Sequence, residues 1–328
     1  MGVNINYENK QNYKRKASRS RSASNGMNII GKKYWYFAIS LIIIIPGLIA
    51  FILWGLNLSI DFTGGSRLTL SFKNGINNKT IDTVKGTLTS EKIKVYSVQE
   101  SNNLLFVKTQ VLNENQNKKF VSDLNKKSIS FKEEEFETIG PTIGAETTTN
   151  AILAIIIASI LIVLYISFSF RKVPKPTSSL RFGVCAIIAL IHDVLVIIGL
   201  YAILGHFFGV ETDSLFLTAV LTIIGFSVHD TIVVFDRIRE NLKKTVNMPF
   251  AQVVNESILQ TLDRSLNTSL TVILVLFALL LFGGETIRWF VVALLIGIIS
   301  GTYSSIFNAS PLLVVWHEWR EKRRKIKQ

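Results

Sequence analysis

The chain has 328 residues, of which 48% are hydrophobic and only 18% charged, with a formal net charge of +13. Soluble domains carry about a quarter charged residues, so this composition points away from an ordinary soluble globule and toward the membrane class. The basic excess lies in short stretches beside apolar runs without an RNP or zinc-finger pattern, which argues against nucleic acid as a partner. The single cysteine, Cys185, excludes an internal disulfide and a cysteine-based metal site.

Residues 1–32 read as a disordered basic tail: KRKASRSRSASNG (Lys14 to Gly26) is rich in Arg and Ser and lacks apolar periodicity. It does not read as a cleavable signal, because the first apolar run starts beyond residue 33 and is too long for an h-region. That run predicts a first membrane span over 33–56, with its apolar stretch from Tyr34 to Leu56. Pro46 is tolerable there, since neighbouring helices can satisfy the freed carbonyl.

Residues 57–148 are polar. They predict a strand within Leu58–Phe72, a helix over Lys79–Glu91, strands over Lys94–Gln99 and Leu104–Val111, a helix over Asn115–Lys127 and a last strand over Ser128–Ile139. The inward helix faces are Ile81, Val84 and Leu88, then Phe120, Val121 and Leu124. This βαββαβ order predicts an inserted α+β ferredoxin-like domain. Five further spans fall within 149–315: Ala151–Phe170, Phe182–Leu204, Ser214–Phe235, Leu266–Phe282 and Trp289–Val315. Between the fourth and fifth, residues 249–264 carry Phe250, Val254, Ile258 and Leu262 on one stripe. That predicts an amphipathic helix along the membrane interface or a connecting helix packed on the bundle. Residues 316–328 form a second basic tail.

The flanks orient the spans. Lys and Arg cluster before span 1 (Lys32, Lys33), between spans 2 and 3 (Arg171, Lys172, Lys175, Arg181), between spans 4 and 5 (Arg237, Arg239, Lys243, Lys244, Arg264) and after span 6. The positive-inside rule puts these regions, and both termini, in the cytoplasm, which makes 57–148 extracytoplasmic and the chain a multi-pass protein in contact with membrane lipids.

A charge at the bilayer centre costs about 2.5–3.5 kcal/mol on insertion scales, so intramembrane charges need a reason. His192 and Asp193 stand in IHDVLV, with Asp193 roughly 17 Å past Phe182 along a helix and therefore near the midplane. His229 and Asp230 repeat the pair in the fourth span. Both residue types can hold and release protons, so the functional reading is a proton relay; the alternative is a buried polar cluster that holds helices together. Arg264 opens the fifth span, where cytoplasmic ends attract Arg in any case. If Ser265, Asn267, Thr268 and Ser269 line a wet crevice, it would reach Asp230 and hold the carboxylate ionised. In span 6, Ala293, Gly297, Gly301, Ser305 and Ala309 recur every fourth residue as a helix-packing surface, whose facing helix is not specified by spacing. No GxxxxGK[ST], HExxH or GxSxG motif is present, so the chain does not read as an ATPase or other enzyme, and no cofactor or metal is expected.

Several stretches occur together in order: SIDFTGGS (Ser59–Ser66), GPTIGAE (Gly140–Glu146), IHDVLV, TIIGFSVHDTIVVFDRIREN (Thr222–Asn241), QTLDRSLNTSL at span 5, and LFGGETIRWF with GIISGTYSSIFNASPL through span 6. Over about residues 30–315 they resemble the SecD/SecF family of bacterial protein export. The resemblance implies a membrane all-α six-helix bundle, half of a resistance–nodulation–division type fold, with a small periplasmic domain after the first helix. It implies an inner-membrane accessory subunit that acts with a separate SecD beside the SecYEG channel and uses the proton gradient to promote translocation of preprotein. It assigns Asp230 and Arg264 to proton passage, and Asp61, Phe62, Gly64 and Gly65 to the family motif after span 1. The rival is a proton-driven small-molecule transporter of the same superfamily, against which the small size of the 57–148 domain speaks.

Overall fold

The computed structural model describes residues 27–73, 75–127, 130–171, 173–174, 176–245 and 248–326. The Arg/Ser-rich stretch up to Gly26, Lys172 and Lys175 of the basic loop, Ser128 at the start of the expected last strand, and the final two residues lie outside the described residues. The chain divides into two units, one built from Ala50–Ile157 with Leu200–Thr218, the other from the remaining helical segments.

In the first unit, β1 (Gly65–Phe72), α2 (Asn78–Ser90), β2 (Val95–Ser101), β3 (Leu104–Thr109), α3 (Glu114–Asn125) and β4 (Phe131–Ile139) follow one another, α1 being the first long helix (Lys33–Trp54). The sheet is antiparallel throughout, in the order β2-β3-β1-β4. Alternate side chains of the central strands point to one face, where Leu68, Leu70 and Phe72 of β1 and Leu105 and Val107 of β3 meet Val84 and Leu88 of α2 and Phe120 and Leu124 of α3. Each such buried side chain is worth about 1.5–3 kcal/mol. Asn77 caps α2 through Thr80 N at 2.8 Å. Asn113 and Gln116 form a reciprocal capping box at the start of α3. Asn102, at φ 53°, takes the left-handed turn position between β2 and β3.

The strand expected within Leu58–Phe72 occupies Gly65–Phe72, and the residues before it are not extended. Ile60–Thr63 makes a single helical turn, capped by Ser59, whose Oγ accepts from Asp61 N at 3.2 Å. Gly64 (φ +70°) and Gly65 (φ +123°) then turn the chain into β1, in conformations that L side chains rarely adopt. A Cβ on Gly65 would also stand 2.7 Å from the Thr109 carbonyl oxygen.

Among the described residues, six helices are long and apolar enough to cross a membrane: α1 with its preceding turn, α4 (Pro141–Ser169), α5 (Ser179–Phe208), α6 (Ser214–Lys244), α7 (Phe250–Phe282), and the helix from Glu285 to Ile326. The last consists of α8 (Glu285–Ser304), one π turn (Ser305–Ala309) and α9 (Ser310–Ile326). The apolar windows of α5, α6 and α8–α9 are 50%, 50% and 61% buried, against 11–17% for α1, α4 and α7. The former three are thus the more buried helices and the latter the more exposed. Backbones of α1 and α5 meet at Gly47 and Gly199, where a Cβ on Gly199 would lie 2.6 Å from Gly47 Cα. Phe170 and Phe182 stack near one end of the bundle, and Phe235 meets both rings edge-on.

Residues 249–264 do not form a separate interfacial helix; α7 runs unbroken from Phe250 to Phe282. Phe250, Val253, Val254 and Ile258 are buried against the bundle, and Asn255 Oδ1 accepts from Ile29 N and Ile30 N at 2.9 and 3.2 Å. With its apolar stripe taken up by protein and no Gly or Pro between 250 and 282, nothing ends the helix early. Lys33 and Glu318 pair at 2.6 Å beside it, joining the start of α1 to α9.

Candidate functional site: two buried carboxylates and a capped helix end

The helical unit holds two carboxylates, each 2% exposed, in different settings. Asp193, on α5, is surrounded by donors. Ser227 and Ser304 donate to Oδ2 at 2.5 and 2.7 Å, Ser300 donates to Oδ1 at 2.8 Å, and His192 Nδ1 lies 3.0 Å from Oδ1. His192 Nε2 lies 3.0 Å from Ser40 Oγ on α1, which in turn accepts from Asn308 Nδ2 at 2.8 Å. One acidic group thus gathers α1, α5, α6 and the sixth span. The π turn Ser305–Ala309 falls where that span presents Ser304 and Asn308, and such turns shift successive side chains around the helix axis.

Asp230, on α6, is held more loosely. Ser269 Oγ of α7 donates to Oδ2 at 3.4 Å, with Thr302 nearby; Ser269 and Thr302 share a 2.6 Å hydrogen bond. Ser269 is the last of four buried hydroxyl residues at four-residue spacing on α7, after Ser257, Thr261 and Ser265. The Ser265 hydroxyl is buried without a hydrogen-bond partner among the described residues, the setting in which buried polar groups take up water.

The two histidines separate: His192 belongs to the Asp193 cluster, whereas His229 is exposed on the outer face of α6. Arg264 is exposed as well, and among the described residues it forms no ion pair with Asp230, whose near neighbours are hydroxyls instead. Thr222 and His229 on α6, and Arg264, Asn267, Thr268 and Thr271 on α7, are exposed polar positions on helices otherwise suited to lipid. The small-residue stripe of the sixth span faces α6 of the same chain. A Cβ on Gly301 would lie 3.0 Å from Ser227 Cβ, Gly297 abuts Ile223, and Ser305 Oγ donates to Ser227 O at 3.1 Å and shares a 2.9 Å bond with Thr231.

In the other unit, the Ser59–Ser66 motif forms a junction. Asp61 Oδ2 accepts from Ser214 N, the first residue of α6, at 2.8 Å, and Asp213 caps the same helix through Phe216 N at 2.8 Å. Both carboxyl groups sit at the positive end of the helix dipole. Phe62 O accepts from Thr148 Oγ1 of α4 at 3.3 Å; Gly144 packs so closely on Gly64 that a Cβ there would come within 2.7 Å of its nitrogen. Burial raises the Glu211 carboxyl above its ordinary value, against a smaller lowering by Lys108. Burial likewise raises Asp213 and lowers Lys108, whose Nζ donates to Leu58 O at 2.5 Å.

Sequence reasoning passed over Ser40, Ser300, Thr302, Ser304 and Asn308. Their signal was present: Ser300, Ser304 and Asn308 recur every fourth residue within an apolar span, a one-sided polar line rather than scattered hydroxyls.

A family model described as the C-terminal part of the protein export membrane proteins SecD/SecF matches residues 118–319, and one for the SecD/SecF GG motif matches residues 55–76. The chain is 47% identical over 300 residues to the protein translocase subunit SecF of Thermobaculum terrenum, covering 88% of this chain and 94% of that one. It is 45% identical over 307 residues to SecF of Anaerolinea thermophila, covering 90% and 96%. A crystal structure of SecDF from Thermus thermophilus, a translocon-associated membrane protein, superposes with a TM-score of 0.78 at 34% identity. That match covers 88% of this chain but only 38% of the SecDF chain.

Proposed function

We propose, since this chain belongs to the SecD/SecF family of protein export membrane proteins, that it is a non-enzymatic accessory subunit of the Sec translocase that uses the proton gradient to promote preprotein movement. In this reading it lies in the bacterial inner membrane with both termini cytoplasmic and the α/β domain, of ferredoxin-like order, in the periplasm. SecD supplies the counterpart that SecDF relatives carry in the same chain, and SecYEG supplies the channel. The observation that carries the reading is Asp230: a carboxylate 2% exposed in a membrane helix, loosely held by Ser269 at 3.4 Å.

An intramembrane carboxylate is costly, and one with few fixed partners can change protonation without dismantling a network. Ser265, one turn before Ser269, supports water reaching this region. The exposed polar surface of α6 and α7, with His229 and Arg264, suits a partner with polar membrane-embedded groups better than acyl chains. Arg264 then acts across that interface, drawing toward Asp230 when the carboxylate is ionised and releasing when it is protonated. Moving one charge through 100 mV supplies about 2.3 kcal/mol, enough to bias a two-state helix arrangement.

The test is replacement of the chromosomal copy by an Asp230→Asn variant. The reading expects normal abundance, normal co-purification with SecD, and a secretion defect equal to that of a deletion. Wild-type secretion in that strain would refute it.

A further inference from the structure

The motif residues Asp61, Gly64 and Gly65 are remote in sequence from both intramembrane carboxylates, and proton passage gives them no task. Their hydrogen bonds do. The segment following α1 is tied to the loop between α5 and α6 at several points. Thr212 N donates to Asn57 O at 2.7 Å and Ser59 N to Thr212 O at 2.9 Å, so that Leu58 and Thr212 pair as in a parallel sheet. Asn57 Nδ2 donates to Gly209 O at 3.1 Å, and Ser214 N to Asp61 Oδ2 at 2.8 Å. Ser59 and Ile60 are fully buried and Thr212 is 4% exposed. Two glycines later the same segment becomes β1, one of the two central strands of the sheet, while Lys108 of β3 holds Leu58 O from the sheet side.

We propose that residues 57–61 are a clamp, with Asp61 as a positioning residue, that makes the α/β domain move with the amino-terminal end of α6. The helix so gripped carries Asp230 sixteen residues further on, roughly 24 Å along an unbroken helix at 1.5 Å per residue. A displacement of α6 along its axis is therefore delivered to the sheet through Asp61, Leu58 and Gly64–Gly65, beside whatever passes through the membrane ends of α1 and α4. Tight glycine conformations at 64 and 65 leave little slack between clamp and strand. This inference rests on the proton-driven reading for the source of the displacement, but the clamp itself is testable without it.

The experiment uses the full-length chain with its one cysteine replaced (Cys185→Ala) and a cysteine pair at Leu58→Cys and Thr212→Cys, which face each other in the bridge. Oxidation of this pair is expected to leave proton-gradient stimulation of translocation unchanged, because the clamp stays closed throughout the cycle. Asp61→Ala is expected to lower that stimulation about fivefold and to speed amide exchange over 209–216 by a similar factor, the scale of a lost helix cap. Oxidising the cysteine pair in the Asp61→Ala background should restore both, and Asp61→Glu should retain most of each. Inhibition by the cross-link alone would overturn the proposal, as would full stimulation in Asp61→Ala or a cross-link that restores exchange protection but not stimulation. If the proton reading itself fails, Asp230→Asn will retain stimulation; the exchange measurement and its rescue still decide whether Asp61 closes the clamp.

Discussion

Ser304 donates to Asp193 at 2.7 Å from the last turn before the sixth span loosens into a π turn. That single bond places a carboxylate of α5 against the most deeply buried span. With Ser227, Ser300 and His192 it makes Asp193 a centre on which four helices converge, whereas Asp230, as buried, has a long contact with Ser269 and Thr302 beside it. The two residues look equivalent as His-Asp pairs in the sequence and differ in their surroundings.

Stability should separate them. Asp193→Ala leaves several buried donors without an acceptor, at about 1–3 kcal/mol each, so a loss of at least about 3 kcal/mol is expected. Asp230→Asn should stay within about 1 kcal/mol of wild type. Thermal unfolding of the detergent-solubilised variants checks this; equal losses would remove the distinction.

Backbone contact between α1 and α5 gives a second expectation. Gly199→Ala places a Cβ 2.6 Å from the Gly47 backbone, which cannot yield as a flexible side chain would, and should cost about 1–3 kcal/mol. Gly225→Ala meets nothing within 4 Å and should be neutral or stabilising by up to about 1 kcal/mol, since alanine is the better helix former. The two melting temperatures provide the comparison.

Glu211 predicts a pH dependence. Burial outweighs the attraction of Lys108 and raises its carboxyl above the ordinary 4.5. The fold therefore favours the neutral form: its contribution is complete below pH 4.5 and is lost as pH rises through the raised value. Glu211→Gln should match wild type in acid and exceed it in stability near neutrality. A wild-type advantage that grows with pH would mean that the Lys108 attraction dominates.

Arg264 is exposed and outside any ion pair with Asp230, so Arg264→Ala should change unfolding by no more than about 0.5 kcal/mol while abolishing proton-dependent export. Loss of folding together with activity would assign it a structural role instead.

The apolar runs and the alternation of strand and helix from 65 to 139 are legible because burial imposes its period on side chains, as in Leu68, Leu70 and Phe72 or Val84 and Leu88. The capped turn at Ile60–Thr63 is not legible because nothing in its hydropathy marks it; Gly64 and Gly65 are its trace in the sequence. Residues 249–264 show an apolar stripe, but a stripe does not say whether lipid or protein covers it. Ser300 and Ser304 are not singled out by the sequence because a hydroxyl in an apolar span acquires its meaning from the carboxylate on a distant helix.

The central claim is that Asp230 converts the proton gradient into work. Its most direct measurement is translocation of a preprotein into proteoliposomes containing SecYEG, SecD and this chain, with and without an imposed proton gradient. Wild type should be stimulated by the gradient, and Asp230→Asn, equally abundant and assembled, should translocate at the basal rate in both conditions. Undiminished stimulation of Asp230→Asn would contradict it.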